Sequence, residues 1–144
     1  MLLREVSVGK NFMGRLEHGD DLLRALTRIC EAENITAGSI QLIGALDGAV
    51  LAVYDQKKKE YHNIDFPGEW EITSGLANIS LKDGKPFVHV HLIIGDHEGK
   101  TYSGHLVEGC KIFACEFVLQ ELKPEKPLER YPDTQTGLTL WPED

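Results

Sequence analysis

The stretch Phe87-Val-His-Val-His-Leu-Ile-Ile-Gly95, continued by Asp96-His-Glu-Gly-Lys100 and Thr101-Tyr-Ser-Gly-His105, decides both the fold and the candidate site. Alternate residues of a β-strand point to the same face of a sheet. His89 and His91 therefore share one face, and the apolar residues beside them share the other. The polar, glycine-containing turn predicts that the chain reverses into a second strand. The stretch thus predicts an antiparallel hairpin with an apolar face and a histidine-bearing face.

The length of the turn determines whether a third histidine joins the pair. A three-residue loop can be formed by residues 96–98 or by residues 97–99. The first loop places His105 opposite His89 and the second places it opposite His91, in both cases on their face. Directly opposite Cβ atoms lie about 4.5–5.5 Å apart, so three imidazoles would converge. A loop of two or four residues would turn His105 to the other face.

Three converging histidines predict a metal site, because imidazole is the commonest neutral ligand for zinc, nickel, copper and iron ions. The alternative is that His89, His91 and His105 are unrelated core or surface residues. Gly104 would let a ligand or a backbone approach closely. Four charged residues are candidates to support the ligands or contact a substrate, unless they are simply solvated or paired: Glu108, Glu71, Glu17 and Arg15.

One helix is predicted before the hairpin. Asp20 is the candidate N-cap and Asn34 the candidate stop. Between them, apolar residues recur at helical spacing and would pack on a sheet: Leu22, Leu23, Leu26, Ile29 and Cys30. Residues 1–17 predict one or two strands. Further strands are predicted at Ser39–Ala45, Ala49–Tyr54, Glu60–Ile64, Trp70–Ser80, Phe87–Ile94, Lys100–Val107 and Lys111–Leu122, with breaks at Asp47-Gly48, Pro67-Gly68 and Lys82-Asp83-Gly84.

The predicted fold class is α+β, a mostly antiparallel or mixed β-sheet with one long helix. At 144 residues the chain fits one domain, which we expect to span residues 1–123. Residues 124–144 contain several prolines and predict an extended C-terminal tail. Leu138, Leu140 and Trp141 of that tail are candidates to pack on the body or on a neighbouring subunit.

Charge and composition restrict the function classes. The net charge of -8 disfavours a duplex-binding surface, although a local basic patch could still bind DNA. The only dense basic run, Lys57–Lys59, is expected to be a solvated turn. No signal peptide or apolar run of about 20 residues is present, so we expect a cytoplasmic protein with no membrane segment. Cys30, Cys110 and Cys115 form no disulfide framework and are expected to be buried, reduced thiols.

Several segments together resemble the PPC domain, the plant and prokaryote conserved domain. They are Gly14-Arg-Leu-Glu-His-Gly-Asp-Asp21, Trp70-Glu-Ile-Thr-Ser-Gly-Leu-Ala-Asn-Ile-Ser80, Asp83-Gly-Lys-Pro-Phe-Val-His-Val-His91, Tyr102-Ser-Gly-His-Leu106 and Cys115-Glu-Phe-Val-Leu119. The resemblance covers roughly residues 5–123. The His-x-His followed by Gly-His-Leu is its most specific part and is typical of prokaryotic members.

This resemblance implies a mixed sheet with one long helix, a homotrimer, and a metal such as zinc held by His89, His91 and His105. Plant members carry AT-hooks, which are Arg-Gly-Arg-Pro segments that enter the minor groove, and this sequence has none. The family's usual Gly-Gly-His is Ser103-Gly104-His105 here, a small-for-small change.

Three functions follow as hypotheses. The first is a trimeric protein that binds a metal or a small ligand and, as an enzyme, would be a metal-dependent hydrolase whose ion activates water. No general base is identifiable, so the sequence leaves open whether it is an enzyme. The second is a DNA-binding, transcription-associated protein, by family analogy. The third is an interaction module whose partner fits the trimer, with the tail as a docking arm.

Overall fold

The computed structural model describes residues 1–142 of the chain. One helix, α1 (Leu22–Ala32), lies between the first two strands of a sheet. The strands are β1 (Val6–Leu16), β2 (Gly38–Asp55), β3 (Glu60–Lys82), β4 (Lys85–Gly95), β5 (Thr101–Leu106), β6 (Ile112–Pro124), β7 (Tyr131–Pro132) and β8 (Thr139–Leu140). No helix within the described residues is long and apolar enough to cross a membrane.

Six strands form one antiparallel sheet in the order β1-β6-β2-β3-β4-β5, and β7 pairs with β8 in a small separate hairpin. β5 also pairs with β2, through Leu51 opposite Leu106 and Ala52 opposite His105. The sheet therefore curls until its last strand contacts a central one. The α+β class and the antiparallel pairing are confirmed. β5 is held from both sides, and it carries one of the candidate ligands.

The predicted breaks at Asp47-Gly48 and Pro67-Gly68 are wrong, because β2 and β3 run through them as strands of 18 and 23 residues. The register shifts between Asp47 and Ala49 on β2, opposite the Phe66–Glu69 stretch of β3. Gly48 and Gly68 have φ angles of 95° and 85°, which glycine adopts without strain. The two turn-like sequences thus face each other and form an irregularity inside one long hairpin rather than two turns.

The helix begins one residue later than predicted, because Asp21 rather than Asp20 is the N-cap. The Asp21 carboxylate accepts hydrogen bonds from Arg24 N at 3.0 Å and from Gly109 N at 2.7 Å, which ties the helix start to the loop before β6. Asp20 instead forms an ion pair with Arg28. At 11 residues the helix is not the long one predicted. It ends at Ala32 with Glu33 as the C-cap, and Asn34, the predicted stop, follows in the left-handed conformation, with a φ of 56°.

The helix covers one face of the sheet, and the core lies between them. Leu22, Ala25, Leu26 and Cys30 of the helix pack against buried residues of the strands. All three cysteines are free and buried, as predicted, and burial raises their thiol pKa values to about 11 or 12. The other face of the sheet exposes large apolar side chains, including those of Met13, Ile43, Leu76, Phe113 and Val118.

The segment after Pro124 lies against the sheet. Its backbone pairs with the end of β3, since Leu81 N donates to Leu128 O at 2.8 Å and Arg130 N donates to Leu81 O at 2.9 Å. The β7–β8 hairpin also contacts the β2–β3 hairpin through Tyr54, whose hydroxyl donates to Thr136 O at 2.6 Å. Leu138, Leu140 and Trp141 are half-buried there. The segment therefore borders the start of β4, where His89 is located.

Candidate metal site

The hairpin register brings the histidines together. His91 lies directly opposite His105 in the β4–β5 pairing. Asp96 N donates to Lys100 O at 3.0 Å, which closes a three-residue loop at 97–99. The Asp96 carboxylate also accepts from the backbone N–H groups of Glu98 and Lys100, each at 2.9 Å, and so fixes the loop length. The odd-length loop is confirmed, in the second of the two predicted registers.

The three imidazoles converge on one point. Their ring centroids lie 5.1 Å apart for His89 and His91, 4.9 Å for His89 and His105, and 5.7 Å for His91 and His105. Each ring offers a nitrogen, and these nitrogens all lie within 4.8 Å of one another. His89 and His105 are half-buried, whereas His91 is exposed. The cluster is therefore preformed and open to solvent on the His91 side.

Burial keeps the inner two histidines in the neutral form that a metal requires. It lowers the pKa of His89 to about 4, with smaller contributions from His105, Arg130 and His91. Burial also lowers the pKa of His105, again assisted by the positive charge on its neighbours. At neutral pH both rings present unprotonated nitrogens, so protons compete weakly with a metal ion for them.

The donor set fits a divalent transition metal. His105 Nδ1 is buried and has no hydrogen-bond partner within residues 1–142. A buried imidazole nitrogen without a partner is unfavourable, and an ion bound there would remove the cost. Three neutral imidazoles suit zinc, copper, nickel and iron, whereas magnesium and calcium prefer oxygen ligands. His89, His91 and His105 would hold such an ion and leave further coordination positions open.

Gly104 is required for the approach of β2 to the cluster. A Cβ added there would lie 2.9 Å from Leu51 Cβ and 3.0 Å from Ala52 O. The missing side chain lets the backbone of β2 come close to β5, beside His105. This is the backbone-approach role that the sequence predicted for the residue.

None of the four charged candidates belongs to the histidine cluster, which includes no carboxylate from residues 1–142. Glu108 pairs with Arg24 at 2.5 Å, and this contact lowers the pKa of the Glu108 carboxyl. Glu71 is an exposed residue of β3, paired in register with Gly95 at the far end of β4. Glu17 and Arg15 are exposed at the end of β1, the strand at the opposite edge of the sheet order.

Two residues beside the cluster were not predicted. The Arg130 guanidinium, from the C-terminal segment, places Nη2 3.5 Å from His89 Nδ1. The Tyr61 ring lies 5.4 Å from the His105 ring. Arg130 is separated from His89 by 41 residues and lies in a segment predicted as a tail. No local pattern in the sequence indicates this contact.

Comparison with known proteins identifies a family. The model of the Plants and Prokaryotes Conserved (PCC) domain, the family called PPC above, matches residues 3–123. A metal-containing protein from Archaeoglobus fulgidus is 43% identical, with a TM-score of 0.93 over 99% of this chain and 100% of that one. A plant- and prokaryote-conserved protein from Pyrococcus horikoshii is 40% identical, with a TM-score of 0.93 over 99% and 98%.

More distant relatives carry other descriptions. A proposed DNA-binding protein from Bacteroides thetaiotaomicron is 25% identical, with a TM-score of 0.84 over 95% of this chain and 96% of that one. The bifunctional protein GlmU of a Synechococcus strain is 31% identical over 129 residues, which are 85% of this chain and 18% of that protein. The chain therefore spans about a fifth of the length of its curated relatives.

Proposed function

The chain belongs to the Plants and Prokaryotes Conserved domain family, and from this premise we propose that it binds one divalent metal ion through His89, His91 and His105. We propose that the bound ion is zinc. The observation that carries the proposal is the preformed convergence of three imidazoles, one of which has a buried nitrogen without a hydrogen-bond partner in residues 1–142. The relative from Archaeoglobus fulgidus, 43% identical, is a metal-containing protein and supports the same reading.

The ion would have a functional rather than a structural role. Structural zinc sites are closed by four protein ligands, whereas three ligands leave a position for a small molecule. The core beneath β4 and β5 is continuous without the ion, since Val90, Leu92 and Leu106 are fully buried. Metal-dependent hydrolysis is the catalytic version of this proposal. Arg130 and Tyr61 beside the cluster supply no carboxylate to take a proton, so the proposal itself is limited to binding.

We propose that three chains assemble around the exposed apolar face of the sheet. The face carries Met13, Val118 and Leu76 in one row, because each pairs in register across β1, β6, β2 and β3. Contiguous exposed apolar side chains of this size are typical of subunit interfaces. The buried, free cysteines support a reducing compartment, and we therefore propose a cytoplasmic location.

DNA binding is the weaker second candidate. It is favoured by the description of the Bacteroides thetaiotaomicron relative. It is opposed by the net charge of -8 and by the position of the basic run. Lys57, Lys58 and Lys59 are exposed in the β2–β3 turn, as predicted. The Lys59 ammonium also donates a hydrogen bond to Thr134 O in the C-terminal segment, so it is less available to a phosphate.

The metal content of untagged protein tests the proposal. We expect about one zinc per chain after loading and desalting, measured by inductively coupled plasma mass spectrometry. The His89→Ala/His91→Ala double variant should bind none. His97→Ala is the matched control, because His97 is an exposed loop histidine paired with Glu69. A wild-type content below about 0.2 metal per chain, unchanged in the double variant, would contradict the proposal.

A further inference from the structure

Arg130 is the one buried charged residue in the part of the chain that the structure describes, with 7% of its surface exposed. Its hydrogen-bond acceptors are neutral: Ser80 Oγ at 2.8 Å, Asn78 Oδ1 at 2.8 Å and Thr139 O at 3.2 Å. No carboxylate forms an ion pair with it among residues 1–142. Within residues 1–142, this buried positive charge therefore has no carboxylate counterion.

The guanidinium is held rigidly in place. It stacks on the Phe87 ring at 5.2 Å and on the Trp141 ring at 5.3 Å. Such stacking compensates part of the cost of burying the charge, but it does not neutralise it. An arginine donates five N–H groups in one plane and accepts none, so a carboxylate or phosphate oxyanion is its natural partner. The neutral groups that Arg130 contacts leave its charge unbalanced, so an anion bound nearby would be stabilised.

The uncompensated charge lies at the histidine cluster, because Nη2 is 3.5 Å from His89 Nδ1. The inference drawn here rests on the proposed function. A divalent ion held by three imidazoles next to Arg130 would concentrate positive charge in a site to which residues 1–142 contribute no carboxylate. An anionic ligand is the simplest way to balance that charge. A shallow cavity of about 340 Å³ beside the cluster provides the space. It is lined by Leu76, Ala77, Asn78, His89 and His91, and Arg130 lies behind two of these residues, since its Nη2 contacts Asn78 and His89.

We propose that the histidine cluster binds the oxyanion group of a small ligand, either a carboxylate or a phosphate, and that the positive charge of Arg130 beside His89 stabilises the bound anion. The cavity is at the lower end of the range for small-molecule sites, which favours a ligand of a few heavy atoms beyond the oxyanion. Leu76 and Ala77 would contact its apolar part. The C-terminal segment is then part of the binding site, since it supplies Arg130 and the Trp141 ring that fixes it.

The test uses the full-length protein loaded with Co²⁺, whose visible absorption reports any change in its ligands. Sodium acetate and sodium phosphate are titrated separately, with sodium chloride at matched ionic strength. We expect at least one oxyanion to change the spectrum saturably, and the stronger of the two identifies the ligand class. In Arg130→Gln the apparent affinity should fall at least about tenfold, whereas Arg130→Lys should retain more of it. Arg28→Met, which removes an exposed charge on the helix, should match the wild type.

A second measurement follows Arg130 in the wild type itself. In the zinc-loaded wild type, the Nε–H resonance of Arg130 should shift during the same titration, and Arg130→Lys identifies that resonance by its loss. A normal metal content with no oxyanion response beyond chloride would overturn this inference and leave the proposed function standing. A spectral response with an unmoved Arg130 resonance would also overturn it. Absence of bound metal would instead overturn the proposed function.

Discussion

Gly104 lies beside His105 where β5 touches β2, and it tests how closely the ligand position depends on backbone packing. An added Cβ would meet Leu51 Cβ at 2.9 Å and Ala52 O at 3.0 Å, and the carbonyl cannot rotate away. We expect Gly104→Ala to lower the free energy of unfolding by about 1–3 kcal/mol. It should also weaken metal binding, because β5 must shift and His105 moves with it. Urea unfolding and metal competition with a chelator measure the two effects.

Gly95→Ala is the matched control for this change. Gly95 ends β4, has no positive φ, and a Cβ there would meet its nearest atom, Thr73 Oγ1, at an ordinary 3.5 Å. It should leave both the stability and the metal affinity near wild type. Equal effects of the two substitutions would show that loss of glycine flexibility, rather than the contact with β2, controls the site.

The depressed histidine pKa values predict how the metal-free protein responds to acid. Burial lowers the pKa of His89 from 6.5 to about 4, and the pKa of His105 moves in the same direction. Below about pH 6.5 these two histidines therefore bind protons in the unfolded chain but stay neutral in the folded chain. The folded state loses stability as the pH falls towards 4. We expect the Tm to fall on the order of 5 °C between pH 7 and pH 5, by calorimetry.

His89→Gln isolates that histidine's contribution to the acid response. The variant should lose less stability over the same pH interval, since one of the groups that titrate in the unfolded state is gone. A wild-type Tm that stays constant or rises from pH 7 to pH 5 would contradict the assigned direction of the two shifts. The measurement requires protein stripped of metal, because a bound ion stabilises the folded state independently.

At the residue scale, the sequence predicts the histidines but not what surrounds them. His89 and His91 share a face because strand residues alternate, and His105 joins them through a register that depends only on loop length. Those are local rules. Arg130 reaches the cluster through pairing of the C-terminal segment with the end of β3, a long-range contact that no periodicity records.

The register of the β4–β5 hairpin depends on both the loop length and the pairing of β5 with β2. If the loop alone set the register, one residue added to the 97–99 loop would turn His105 away from the other histidines, because adjacent strand residues face opposite sides. In the structure β5 is also fixed from its other side, through Leu106 opposite Leu51 on β2. Leu106 is 1% exposed, so flipping the strand would expose it. We therefore expect a glycine inserted after Glu98 to be absorbed by the loop, with the metal content unchanged.

The companion variant adds Leu106→Ala to the same insertion. With the buried anchor removed, the register is set mainly by the loop, and we expect the metal content to fall and the unfolding free energy to drop by about 2–5 kcal/mol. Leu106→Ala without the insertion separates the cost of the cavity from that of the register. Loss of metal in the insertion variant alone, with an unchanged circular dichroism spectrum, would show that pairing with β2 does not hold the register.

The long strands β2 and β3 show why the elements are predicted less well than the hairpin. Asp47-Gly48 and Pro67-Gly68 are each a normal turn signal, and nothing in the sequence of either strand indicates that the strand continues through it. They face each other in the pairing, so the two irregularities are accommodated at one point and the strands continue. Only the pairing shows this. Lys82-Asp83-Gly84 is a true turn because the residues flanking Asp83 and Gly84 pair directly.

The two faces of the sheet differ in what covers them. One is buried by α1. The other exposes a row of residues in register that ends at His91, apolar at Met13, Val118 and Leu76 and interrupted by Gln41. The row joins the apolar face to the metal cluster. A subunit packed on this face would therefore border the ligand cavity, whose lining includes Leu76. Assembly and ligand binding are then expected to influence each other.

Met13→Glu tests the proposed trimer without disturbing the cluster. Met13 lies on β1, is 85% exposed in the single chain, and packs in no core, so the fold should tolerate the charge. Buried at an interface, the same carboxylate would be costly. Light scattering coupled to gel filtration should give three times the 16.1 kDa chain mass for the wild type and a smaller mass for the variant. Leu3→Glu, outside the sheet, controls for the added charge. A monomeric wild type would refute the trimer.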